Sequence, residues 1–160
     1  MAKDYNKVII AVDFDGTVVT HEYPNMGSPI RGAIHTLKHI VREGHQLILW
    51  TMRDGKELDA AVKYFSDNSI TLFGINSNPD QSSWTNSPKA YANLYIDDAA
   101  LGCPTSFHTD SGRVAVDWYE VNYWLYQANI IKHPKMMDGT WGLDRSTYFE
   151  ELYPPLDVLP

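Results

Sequence analysis

Short apolar runs alternate with longer amphipathic stretches along most of the chain, and that alternation sets the expected architecture. Val8 to Val12 is a continuous, β-branched-rich run of the kind found in parallel strands buried on both faces. Similar runs at Leu47 to Trp50, Thr71 to Ile75 and Leu94 to Ile96 are each bounded by polar or glycine-containing turns, which makes four candidate strands. Between the first two, Ser28 is placed to cap a helix with Pro29 in its first turn. Ile30, Ala33, Ile34, Leu37 and Val41 form its apolar stripe, and Gly44 supplies its stop. After the second run, Asp54 and Glu57 have capping-box spacing, and Leu58, Ala61, Val62 and Phe65 follow at helical intervals. A further helix is predicted from Asp117, with Glu120 three positions on and Trp118, Val121, Leu125 and Ala128 turned inward.

Strands alternating with amphipathic helices predict an α/β domain, with a central parallel sheet, right-handed crossovers and helices on both faces. From His133 onward the chain turns Pro-, Tyr- and Asp-rich without periodicity. The expected organisation is therefore one domain over 1–132 and a tail over 133–160 that packs on it. The length of 160 residues suits a single domain with a sizeable core, and the 44% apolar and 21% charged shares are those of a globular rather than a disordered chain.

A net charge of −7 works against sequence-independent nucleic-acid binding, which depends on basic side chains displacing counterions from phosphates. Cys103 stands alone, so no intrachain disulfide forms. Met1 to Lys7 lacks the apolar core of a secretory signal, and no apolar run reaches the roughly 18 residues of a membrane span. A soluble cytoplasmic protein is expected, with no membrane partner.

Asp13, Thr51 and Asp97 each stand where an apolar run ends. In a parallel sheet those ends share one edge, and ligands of open α/β sheets bind outside the carboxyl ends of the strands. In Asp13-Phe14-Asp15-Gly16-Thr17-Val18 two carboxylates are separated by one residue, Gly16 permits a turn, and Thr17 offers a hydroxyl to orient a carboxylate. Paired acids at a turn suit metal binding or divided nucleophile and acid/base roles. Asp97 and Asp98 add a second pair, and with Asp13 they make a hard, oxygen-rich site appropriate for Mg²⁺.

The segment Val8 to Val18 resembles the first signature of the haloacid dehalogenase (HAD) superfamily, hydrophobic residues followed by DxDGT, present here as DFDGT. Leu47 to Thr51 is similar to its second motif and Tyr95 to Asp98 to its acidic fourth motif. The resemblance implies a three-layer, Rossmann-like fold and a Mg²⁺-dependent phosphohydrolase. In such an enzyme Asp13 attacks phosphorus, Asp15 serves as acid and then base, and Thr51 holds a phosphoryl oxygen. Asp13, the Asp15 carbonyl and Asp97 or Asp98 hold the metal, while Phe14, Gly16, Thr17, Met52 and Arg53 make up the substrate-binding set. Asp15 argues against a dehalogenase, whose leaving group needs no protonation.

The third motif is a basic residue, for which Lys89 is the obvious choice; only a helical or folded-back segment would bring it to the site, eight residues before Asp97. Arg53, two residues past Thr51, is its rival as a phosphate partner. His35 and His39 have zinc-pair spacing, yet Arg31, Lys38 and Arg42 share that polar face and no third ligand is evident, so a solvated face is expected. Asn76, Asn78 and Asp80 could touch substrate but read more simply as turn chemistry.

Neither Val19 to Ile30 nor Gln81 to Ser87 is long enough for an inserted cap domain, so an open site is expected. A small phosphate ester or nucleotide is preferred as substrate, with a polynucleotide 3′-phosphate, phosphotransfer to an acceptor other than water, or binding without turnover as alternatives. A homo-oligomer is compatible with an open site that a second subunit helps to close.

Overall fold

A computed structural model describes residues 7–109 and 111–132. Along it run β1 (Ile9–Val12), α1 (Ala33–Arg42), β2 (Gln46–Leu49), α2 (Gly55–Asp67), β3 (Gly74–Ile75), a 3-10 turn (Gln81–Ser83), β4 (Leu94–Ile96), β5 (Thr105–His108), β6 (Arg113–Val116) and α3 (Trp118–Gln127). The first four strands form a parallel sheet in the order β3-β2-β1-β4, flanked by helices, and β5 and β6 pair antiparallel beside it. The expected tail, 133–160, lies outside the described residues.

The continuous apolar run of β1 is explained by cover on both faces. Ile10, Val12, Leu47 and Leu49 join a large cluster with Ala33, Leu37 and Ile40 of α1, Ala61 and Phe65 of α2, and Val121 and Leu125 of α3. On the alternate face Ala11 and Ile48 pack with Ala92, and the partly buried Ile9, Trp50 and Phe73 lie against them. Among the described residues this second cluster takes no helical side chain, where helices were expected on both faces. The β3–β4 connection, interrupted by Pro79 and Pro88, is instead a loop braced from within. Gln81 Nε2 donates to the carbonyls of Ser87 (2.7 Å) and Lys89 (3.0 Å), its Oε1 accepts from Tyr91 N–H (2.7 Å), and Asn78 Nδ2 donates to Tyr91 O (2.9 Å).

Local signals succeed where a side chain makes the predicted bond. Asp117 caps α3 by accepting from Tyr119 N–H (3.0 Å) and Glu120 N–H (3.3 Å), and Gly44, at φ 91°, follows the end of α1. The inward side of α3 is Trp118, Val121 and Leu125 as expected, but Ala128 is the exposed residue after its last turn. The start of α1 differs from its prediction. Ser28 and Pro29 belong to an extended return, since Thr20 N–H donates to Ser28 O (2.8 Å) and Val19 bridges Pro29, so the helix begins only after Gly32. At α2, Asp54 sits at the cap position with no side-chain capping bond. The β5–β6 hairpin has no counterpart in the predicted elements, because Phe107 and Val114 face solvent and its alternation is weak.

Candidate active site

Val12 stands level with Leu49 and Ile96, and Leu49 with Ile75, so the four parallel strands end in one row. The residues that follow leave by the same edge. Asp13 N–H donates to Ile96 O (2.9 Å), Trp50 N–H to Val12 O (2.8 Å) and Asn76 N–H to Leu49 O (2.8 Å). The strand order reverses direction between β1 and β4, and such a switch point opens a crevice at the carboxyl ends. There Asp13, Asp97 and Asp98 converge, with one carboxylate oxygen from each within 4.8 Å of the others. Three hard, anionic donors at that spacing could hold a metal ion.

The turn after β1 is shaped by its own backbone. The Phe14 carbonyl accepts from the N–H groups of Thr17 (3.3 Å), Val18 (2.8 Å) and Val19 (3.1 Å), while Gly16 N–H donates to Val19 O (2.7 Å). Gly16 adopts φ +85°, and a β-carbon there would meet Asp98 Oδ2 at 2.5 Å, so both conformation and space select glycine. Thr17 joins the two acidic segments: its hydroxyl donates to Asp13 Oδ2 (3.1 Å) and accepts from Asp98 N–H (3.2 Å). Behind it, Trp118 Nε1 donates to the Thr17 carbonyl and Val116 N–H donates to Gly16 O (2.9 Å). The hairpin and α3 thus support the turn from below. Phe14 is wholly buried against Tyr64 and Phe65, so its ring belongs to the core, and any contact it makes at the site runs through its backbone.

Burial raises the Asp13 carboxyl to about 7, and the charges of Asp97 and Asp98 push the same way against hydrogen bonds from Phe14 N–H and the Thr17 hydroxyl. Burial likewise raises Asp98, helped by Asp97 and opposed by His21. His21, which the sequence reading did not single out, therefore lies close enough to the acidic cluster to be felt there. No local signal marks it, because its loop reaches the site only through the Thr20–Ser28 return.

Thr51 is buried at the end of β2 and is held by Asn76, whose Oδ1 accepts from Thr51 N–H (2.8 Å) and whose Nδ2 donates to Thr51 O (2.9 Å). Asn76 takes φ +49° after β3, and its amide works as a splint between two strand ends. Met52, next along, is almost fully exposed. Arg53 is buried and faces Asp15: Nε donates to Asp15 Oδ2 and Nη2 to Asp15 Oδ1, both at 2.7 Å. The Asp15 carboxylate raises the Arg53 guanidinium further above its ordinary range.

Lys89 is exposed, with its ammonium 5.7 Å from the centre of the Tyr95 ring. Among the described residues that ammonium has no carboxylate partner, and the acidic group at the switch point consists of Asp13, Asp97 and Asp98. His35 and His39 stack edge to face at 6.4 Å, and His39 lies 3.6 Å from Glu43, the arrangement of a helix face. No described helix is long and apolar enough to cross a membrane.

No family model and no curated protein matches the chain. A solved structure described as that of a conserved protein from Bacteroides thetaiotaomicron superposes with a TM-score of 0.60 at 32% identity, over 84% of this chain and 97% of that one. At that identity across nearly the whole of its relative, this chain belongs to the same family as the conserved Bacteroides thetaiotaomicron protein.

Proposed function

We propose that the chain is a Mg²⁺-dependent phosphohydrolase of the HAD type, with a Rossmann-like, capless fold, acting on a phosphate monoester through an aspartyl-phosphate intermediate. The observation that carries this reading is the convergence of Asp13, Asp97 and Asp98 within 4.8 Å at the switch point, with Asp15 and Thr51 on the same edge. Three carboxylates lie so close, one raised to about 7 by burial, that their charges repel, and a small divalent cation is what that donor set fits. Asp13, the Asp15 carbonyl and Asp97 or Asp98 would hold it. Bound there, Mg²⁺ supplies charge neutralisation between the nucleophile and the phosphate.

The chain's own groups then divide the work. An Asp13 carboxylate oxygen forms a bond to phosphorus as the bond from phosphorus to the leaving oxygen breaks, and Asp15 gives that oxygen a proton. Water next attacks the aspartyl phosphate, Asp15 takes its proton, and cleavage of the bond between phosphorus and Asp13 releases inorganic phosphate. Thr17 orients the Asp13 carboxylate from beneath, leaving its other oxygen for attack. Thr51, splinted by Asn76, offers its hydroxyl to a phosphoryl oxygen. Of the two basic residues, Arg53 is committed to Asp15 and Lys89 is exposed, so the phosphate role falls to Lys89. Gly16, Thr17, Met52 and the Phe14 backbone complete the substrate side.

The acidic balance favours a small phosphate ester or nucleotide over the polynucleotide 3′-phosphate that an open site could also admit, in a cytoplasmic protein that a second copy could help to close. Phosphate release from p-nitrophenyl phosphate, nucleotides and 3′-phosphorylated oligonucleotides tests this. The reading expects Mg²⁺-dependent turnover that Asp13→Asn abolishes, and a phosphoenzyme trapped by Asp15→Asn with substrates bearing good leaving groups. Wild-type turnover by Asp13→Asn would refute it; tight ligand binding without turnover would favour a binding protein.

A further inference from the structure

Arg53 contributes a basic side chain at the site edge, yet four of its five N–H donors are already occupied. Its Nε and Nη2 grip both Asp15 oxygens at 2.7 Å, Nη2 also donates to Asn25 O (2.7 Å), and Nη1 donates to Pro24 O (3.3 Å). The guanidinium carbon lies 5.1 Å from the Phe14 ring centre and 5.5 Å from that of Tyr23. The side chain is only 1% exposed, whereas that of Asp15 is 13% exposed. A phosphate-binding arginine presents its planar fork to the ligand. This one presents it to a carboxylate, with two more of its donors turned to backbone.

The carbonyls that complete this hold come from a loop with a tight neck. Thr20 N–H donates to Ser28 O and Ser28 N–H donates to Thr20 Oγ1, both at 2.8 Å, and a β-carbon on Gly27 would collide with the Thr20 carbonyl. The residues between, 21–26, are exposed, and they end the chain of contact that runs from Asp15 through Arg53 to Pro24 and Asn25.

We infer that Arg53 is a positioning residue for Asp15 rather than a phosphate partner, and that the loop over 21–27 sets the orientation of Asp15 through it. This rests on the phosphohydrolase reading. Under that reading the step most sensitive to Arg53 is the second, in which Asp15 must face the water that attacks the aspartyl phosphate and accept its proton. The first step with an aryl phosphate needs little help, because a nitrophenolate leaves without a proton.

The test is pre-steady-state turnover of p-nitrophenyl phosphate with Mg²⁺ by Arg53→Lys, which keeps the charge and loses the fork. A retained burst of nitrophenol is expected, with kcat/KM within about threefold of wild type and later turnover slowed about a hundredfold or more as phosphoenzyme accumulates. Adding Asp15→Asn to Arg53→Lys should slow it no further than Asp15→Asn alone. A lost burst with kcat/KM lowered tenfold or more, additive with Asp15→Asn, would overturn the inference in favour of phosphate binding. Tyr23→Ala changes an exposed ring and serves should Arg53→Lys not fold. It should slow the second step severalfold and leave the burst intact, and an unchanged second step would overturn the role of the loop. Wild-type protein that releases no nitrophenol would instead sink the phosphohydrolase reading, and this inference with it.

Discussion

The α-carbon of Gly16 faces the carboxylate of Asp98 so closely that a β-carbon on it would stand 2.5 Å from Oδ2. One atom therefore separates the turn after β1 from the loop after β4, two segments far apart in sequence. Gly16→Ala has to strain φ +85° and displace Asp98 together. The backbone alone should cost about 1 to 3 kcal/mol, and the acidic cluster should open. Chemical denaturation and Mg²⁺ titration of the variant check both parts. Unchanged stability with unchanged Mg²⁺ affinity would contradict this packing.

The raised Asp13 carboxyl gives stability a definite pH dependence. Its folded value of about 7 lies above its unfolded one, so in the window between them the folded state keeps a proton that the unfolded state has lost. Stability from this group is present at acid pH and is lost as pH rises through about 7 in metal-free protein. Asp13→Asn lacks this loss, so its Tm advantage over wild type in EDTA should widen from about pH 4.5 to about pH 7.5. Mg²⁺ should stabilise wild type more at the higher pH, since it competes with the proton. Thermal melts of both proteins across that range provide the measurement.

Lys89→Ala separates the two basic residues. Its ammonium is exposed above the Tyr95 ring, so stability should change by less than about 0.5 kcal/mol. If it approaches phosphate in the loaded site, kcat/KM should fall by about a hundred- to a thousandfold. A variant with wild-type kcat/KM would remove Lys89 from the reaction.

Asn76→Ala removes two hydrogen bonds, to Thr51 N–H and to Thr51 O, at a position with φ +49°. The unsatisfied strand-end groups should cost about 1 to 3 kcal/mol. Phosphate affinity should weaken as Thr51 loses its splint. Competition by inorganic phosphate, measured beside the denaturation curve, distinguishes this from a simple loss of stability.

The strands were legible because each is a short apolar run ending in a polar residue, and the site was legible because Asp13, Thr51 and Asp97 stand at those ends. Local periodicity said less about the rest. Ser28 and Pro29 look like a helix start, but the Thr20–Ser28 return uses them in an extended bridge, a pairing between segments that no local pattern encodes. The β5–β6 hairpin is hidden by its solvent-facing Phe107 and Val114. Arg53 was read as a possible phosphate partner because its charge and position were visible, while its commitment to Asp15 depends on the folded loop around Pro24 and Asn25. Asn76 looked like turn chemistry and is that, with the added consequence that the turn holds Thr51.

The most direct test is a crystal structure of the protein with Mg²⁺ and beryllium fluoride, a mimic of the phosphoryl group on a carboxylate. The account predicts the fluoride adduct on an Asp13 oxygen, Mg²⁺ bound by Asp13 and by Asp97 or Asp98, and Arg53 still forked onto Asp15. Mg²⁺ bound elsewhere, or an adduct on any other side chain, would contradict it.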